Sequence, residues 1–272
     1  MNRIDSTFAK QKAKGEKALI AYIMAGDPSL SETEQLVLEL ERAGADVLEL
    51  GVPFSDPIAD GPVIQQAAER ALRSGASLKK ILATVAALRR KTQIPLVLMS
   101  YYNSIHAFGE EAFCAAAVQA GVDGLIVPDM PPEEAGPLDG HAQRAGLEII
   151  YLLAPTSTPD RVAMVGRRSR GFLYYVSLTG ITGSKLADFS EVQPNVDRIR
   201  AKASAPVAVG FGVATADDAA KVGRIADGVI VGSAIVRQIG EHQHDGRMAE
   251  KVGRFVQTLK AAMGASSAAR TA

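Results

Sequence analysis

The 272 residues, 47% apolar and 22% charged, can bury a large core, which excludes a disordered chain, a fibre or a short peptide. Thirty Lys and Arg side chains cancel thirty Asp and Glu, so no net field gathers nucleic acid or an anionic membrane. The single cysteine, Cys114, cannot close an internal disulfide; within FCAAAV it reads as a small buried side chain, and a reducing cytoplasm is the expected compartment. The opening MNRIDSTFAKQKAKGEK lacks an apolar signal core, and no run of about 18 uncharged apolar residues follows, so neither export nor membrane insertion is expected.

In chain order, eight short apolar runs read as strands. They are ALIAYIM from Ala18, DVLELG from Asp46, PLVLMS from Pro95, VDGLIVP from Val122, LEIIYLL from Leu147, GFLYYVS from Gly171, PVAVG from Pro206 and DGVIVG from Asp227. Continuous rather than alternating apolarity suits a parallel sheet covered on both faces. Helical patterns lie between them. Residues 30–43 predict a helix with Ser31 as N-cap, Glu34 at the capping-box position, an apolar stripe of Leu36, Leu40 and Ala43, and a stop at Gly44. Another pattern begins at Val63. A weak repeat marks the helix-to-strand junctions: AGADVLEL at Ala43, AGVDGLIV at Ala120, AGLEIIYL at Ala145 and, more loosely, IADGVIVG at Ile225. Glycine accepts the left-handed conformation that ends a helix and turns the chain into the next strand. Eight such units can close into a barrel or remain an open sheet, and no linker divides the chain; the barrel is the favoured reading. The expected fold is a (βα)8 TIM barrel with an extra N-terminal helix, a single domain over residues 1–272 with a frayed small-residue tail at 263–272.

Three places carry chemistry. In ELGVPFSDPIADG, Glu49 interrupts a buried strand near its carboxyl end, where barrels place their active sites. A buried carboxylate must find a cation or titrate nearer neutrality, so a structural ion pair stands beside the catalytic reading. Asp60, eleven residues on, can cap the helix that follows or join Glu49 as a second carboxylate with a different pKa, dividing acid from base work. Asp56, between Ser55 and Pro57, reads as a turn residue or a surface contact. The second place is the Gly/Thr loop at 176–185, a lid or an anion cradle. The third is the pair of strand ends VGFGVAT and VGSAIV, where Gly212, Gly232 and Ser233 stand at helix starts and suit a phosphate. His242 and His244 in EHQHDGR lack a third ligand, and GFG lacks the spacing of a dinucleotide fingerprint, so no metal and no nucleotide cofactor is expected.

The segment ELGVPFSDPIADGPVIQ, with AGDP at 25–28, VPDMP at 127–131, LLAPTS at 152–157, TGITG at 179–183 and GFG at 210–212, resembles the tryptophan synthase alpha subunit family from about Phe8 to Gly264. The resemblance implies a cofactor-free barrel that cleaves indole-3-glycerol phosphate to indole and glyceraldehyde 3-phosphate and passes indole to a beta subunit, with an alpha2beta2 tetramer as the implied assembly. Residue by residue, Glu49 matches the family's acid and base, Asp60 the carboxylate on the indole N–H, and Tyr174 the tyrosine beside them. Tyr22 and Phe211 match the indole pocket, Gly183, Gly212, Gly232 and Ser233 the phosphate contacts, and Asp56, Pro57 and Asn103 the surface that meets the beta partner. Departures are Leu178 where many relatives carry arginine, Val63 where threonine is common, and Met24 and Ala21 in place of threonine and proline. Two rivals remain at this level. Another phosphosugar barrel would keep the phosphate glycines but not the Glu49-to-Asp60 segment, and a catalytically weak alpha chain would serve mainly to activate its partner.

Overall fold

The computed structural model describes residues 2–176, 192–210 and 212–268. Nine parallel strands form one sheet: β1 (Ala18–Met24), β2 (Val47–Gly51), β3 (Leu96–Met99), β4 (Gly124–Ile126), β5 (Glu148–Ile149), β6 (Leu152–Leu153), β7 (Leu173–Val176), β8 (Val207–Gly210) and β9 (Gly228–Val231). Their order is β5-β4-β3-β2-β1-β9-β8-β7-β6. The expected fifth strand is in fact two short pieces, because its halves serve different neighbours. β5 pairs with β4 and β6 with β7, and between them the Ile150 amide donates to the Leu125 carbonyl while the Tyr151 carbonyl accepts from the Tyr174 amide. The bent segment thereby joins the two edges into a closed (βα)8 ring.

Alternation along each strand sorts two cores. Leu19, Ala21, Ile23, Leu48 and Leu50 face the surrounding helices, whereas Ile20, Val47, Val97, Ala208 and Ile230 fill the barrel. The N-terminal helix Arg3–Ala13 closes the amino end of the barrel, with Ile4 and Phe8 buried in the interior cluster and the Phe8 ring 5.6 Å from that of Phe172. Full burial of each such side chain contributes about 1.5–3 kcal/mol. Cys114 is buried in the helix Glu110–Ala120, as a small core side chain.

The helix expected over 30–43 is Leu30–Arg42, but its cap is Ser29, not Ser31: the Ser29 hydroxyl accepts from the Glu32 amide and bonds the Glu32 carboxylate, and Ser31 lies in the first turn. Both serines precede an acid by three residues, and the backbone, extended only at Ser29, decides between them. Gly44, Gly121 and Gly146 take positive φ at three of the repeated junctions, whereas the fourth ends in extended Ala226. The last helix, Met248–Ala268, runs into the segment expected to fray, because Met263 is still buried in the core.

The repeat has a second meaning at the amino end of the barrel. Asp46, Asp123 and Asp227 each donate a backbone N–H to a residue that opens or leads into a neighbouring strand, Leu19, Leu96 and Val207, at 2.8 Å. Each carboxylate then accepts the N–H of that same residue, at 2.7, 2.8 and 2.9 Å. Cations complete the three clamps: Lys260 on Asp46, Arg3 and Arg89 on Asp123, Arg200 on Asp227.

Candidate functional site at the carboxyl end of the barrel

Leu48 and Leu50 turn outward to the helices, so Glu49 between them turns inward. In the parallel register it stands beside Tyr22 of β1 and Val97 of β3. Glu49 is 1% exposed, and its Oε2 has no hydrogen-bond partner. No cation among the described residues neutralises it. Burial, with the nearby charge of Asp60, pushes its carboxyl up to about 8. The structural ion pair is therefore absent from the described surroundings.

Asp60 ends the loop that follows β2. The helix Pro62–Arg73 takes Gly61 as its N-cap and has no side-chain cap, so Asp60 does not have the capping role. Its backbone is held by its own N–H to the Pro57 carbonyl and by the Gln65 amide on its carbonyl. The carboxylate is 7% exposed and lies against the Tyr101 hydroxyl, which also accepts the Ala59 N–H at 2.9 Å. Burial pushes Asp60 up to about 6, with Tyr101 pulling the other way.

Tyr22 and Tyr174 stand near the carboxylates. Burial and then the negative charges of Asp60 and Glu49 raise the Tyr22 phenol, and burial followed by Glu49 raises Tyr174. Each ring leans over a glycine of the next strand. No Cβ fits at Gly51 beneath the Tyr22 hydroxyl, and one at Gly210 would come within 2.6 Å of the Tyr174 hydroxyl. Met24, Ile64 and Val236 pack with Tyr22 in an apolar wall that Val63 joins, while Ala21 faces the outer helices. Two of the four departures, Met24 and Val63, thus pack in the cluster that holds Tyr22.

At the adjoining strand ends, Gly212 follows β8 with φ +76°, and Gly232 follows β9 as the N-cap of the helix Ser233–His242, without a side-chain cap. Gly232 sits against Tyr22, since a Cβ there would lie 3.5 Å from the Tyr22 Cβ. The first turn of that helix has no side-chain cap on its N–H groups, the geometry that favours an anion. Gly183, Phe211 and Leu178 lie outside the described residues, as does most of the Gly/Thr loop.

On the outer side of the Asp60 loop, Asp56 is exposed and accepts the Ser55 hydroxyl, Pro57 is half-buried, and Asn103 is exposed on the helix Tyr102–Phe108. Beside them are residues that the sequence reading missed. Phe54 stacks on Tyr101 at 5.2 Å, and Ile58 is 83% exposed. Two tyrosines directly after a strand's carboxyl end, MSYYN, were the available signal.

Comparison with known proteins agrees along nearly the whole chain. The family model for the tryptophan synthase alpha chain matches residues 8–264. The tryptophan synthase alpha chain of Geobacter sp. (strain M21) is 52% identical over 260 residues, covering 96% of this chain and 97% of that relative. The crystal structure of tryptophan synthase subunit alpha from Legionella pneumophila str. Paris superposes with a TM-score of 0.91 at 40% identity, covering 97% of this chain and 99% of that one. A chain of the tryptophan synthase complex from Pyrococcus furiosus gives a TM-score of 0.82 at 35% identity, covering 90% and 98%.

Proposed function

The chain belongs to the tryptophan synthase alpha chain family, and from that premise we propose that Glu49 and Asp60 divide the proton work of indole-3-glycerol phosphate cleavage. As an alpha chain it is a lyase of tryptophan biosynthesis that cleaves this substrate to indole and glyceraldehyde 3-phosphate and works with a beta subunit. The observation that carries the assignment of roles is Glu49: a strand carboxyl, 1% exposed, unpaired at Oε2, and raised to about 8 beside a second carboxyl at about 6.

At neutral pH those values leave Glu49 mostly protonated and Asp60 mostly ionised, the division that acid/base chemistry needs. Glu49 gives its proton to C3 of the indole. The ring becomes an iminium whose N–H is held by the Asp60 carboxylate, a charge-assisted hydrogen bond. Glu49, now ionised, takes the proton of the glycerol hydroxyl; the carbonyl forms, the bond to C3 breaks, and its electron pair restores the indole ring. One proton leaves Glu49 and one returns. Tyr174 is read as the tyrosine beside the carboxylates, Tyr22 and Phe211 are assigned to the indole ring, and Gly183, Gly212, Gly232 and Ser233 to the phosphate. The uncapped helix start at Gly232 supports that placement.

Asp56, Pro57 and Asn103 are assigned to the beta-subunit contact, a reading supported by the exposure of Asp56 and Asn103 on adjoining loops. An alpha2beta2 tetramer is the proposed assembly. The chain is read as one domain, supported by a family match over residues 8–264. No helix of the described residues is long and apolar enough to cross a membrane; a cytoplasmic location is the proposed one, supported by the single buried Cys114. The test is direct: incubate the purified chain with indole-3-glycerol phosphate, with and without a beta subunit, and follow indole. Release in both conditions, faster with the partner, is expected; none in either overturns the mechanism and favours a chain that serves mainly as an activator.

A further inference from the structure

We propose that Tyr101 is a positioning residue for the cleavage reaction, its hydroxyl receiving the Ala59 N–H and donating to the Asp60 carboxylate so that Asp60 is aimed at the substrate nitrogen. The inference rests on the reading of Asp60 as the acceptor of the indole N–H. A phenol has one proton to give and lone pairs to receive. With the Ala59 amide at 2.9 Å occupying the acceptor side, the proton is left for the carboxylate that lies against it.

Tyr101 is suited to the task because its own backbone is held from another strand. Ser100 donates its N–H to the Ile126 carbonyl, and the next residue, Tyr102, donates its N–H to the Asp129 carboxylate at 2.9 Å. The ring is buried and clamped on its face by Phe54, 5.2 Å away. The Asp60 loop, in contrast, carries exposed Asp56, Ile58 and Ala59. Tyr101 therefore ties the loop that faces the proposed partner surface to a fixed point on the barrel and sets the carboxylate at their junction. Among the described residues, the ionisable groups that bear on Asp60 or on Tyr101 are Glu49 from β2, Tyr22 from β1 and Asp129 after β4. None of them is a cation that could replace the phenol's hydrogen bond.

Tyr101→Phe keeps the ring and its stack and removes only the hydroxyl. Expected is a fall of about tenfold in kcat/KM with an unchanged denaturation midpoint, and an acid limb of the pH profile moved to higher pH, since a hydrogen bond to the charged form of Asp60 has been lost. In an Asp60→Asn background the same substitution should add nothing, because the two residues act as a unit. Equal losses in both backgrounds would overturn the inference, as would parental kcat/KM and an unmoved acid limb in Tyr101→Phe while Asp60→Asn is slow. If Asp60→Asn cleaves like the parent, the underlying role of Asp60 fails instead, so the two failures are told apart.

Discussion

The two mouths of the barrel hold carboxylates under opposite treatment, with Asp123, Glu49 and Asp60 buried and Asp46 and Asp227 half-buried. At the amino end, Asp46, Asp123 and Asp227 each meet a backbone N–H and at least one cation. At the carboxyl end, Glu49 has an oxygen without any hydrogen bond and Asp60 lies against a phenol. Burial alone does not separate the two sets, since it raises Asp46 as well, against the pull of Lys260. What separates them is the partner. A carboxylate closed on an amide and a cation ties one strand to the next and locks strand register. One left among tyrosines and a second carboxylate can exchange its proton with a ligand. On the proposed reading of Glu49 and Asp60, the barrel places holding at one end and chemistry at the other.

The largest expected effect is on the chemical side. Glu49→Gln keeps the shape of the side chain and removes its proton, so single-turnover cleavage should slow by a hundredfold to ten-thousandfold, roughly the range for one general acid/base, with substrate affinity near normal. A Glu49→Gln protein that still cleaves at the parental rate would remove the catalytic role and with it the contrast between the mouths. Asp123→Asn tests the opposite end. It leaves Arg89 buried without its counter-charge, and a urea melt should show a loss of about 3–5 kcal/mol, with cleavage per folded molecule retained. If activity instead falls while the melt is unchanged, the amino end is not merely structural.

A smaller effect comes from linkage. Glu49 is raised from 4.5 in the free side chain to about 8 in the folded chain. Between those values the folded state holds a proton that the unfolded state has released, so stability falls as pH rises and the contribution is lost through pH 8. From pH 6 to pH 8 the parent should lose about 2 kcal/mol more than Glu49→Gln does, read from denaturant melts at each pH. Parallel pH curves for the two proteins would show that Glu49 is not raised. The smallest effect belongs to Asp56→Ala on the exposed loop. Stability should change by less than about 0.5 kcal/mol, while activation by a beta subunit weakens. An undiminished response takes Asp56 out of the contact.

Much of this was legible in the chain. The eight βα units follow from continuous apolar runs and glycine-ended helices, and Glu49 stands out because a carboxylate within an apolar strand demands an explanation. The resemblance carried by the Glu49-to-Asp60 segment supplied the substrate and the partner. Local pattern could not choose Ser29 over Ser31, as that depends on which residue is extended. Nor could it show the fifth strand divided between two neighbours, because pairing is made by residues far away in sequence. The same limit governs the carboxylates. Asp46, Asp123 and Asp227 appear in the sequence only as part of a repeated junction, and Asp60 as a plausible cap; whether each meets a cation, an amide or another acid was settled by strand register and loop closure. A sequence specifies which groups can ionise. The three-dimensional neighbours, by the charge and hydrogen bonds they bring within a few ångströms, decide whether those groups hold the fold or move a proton.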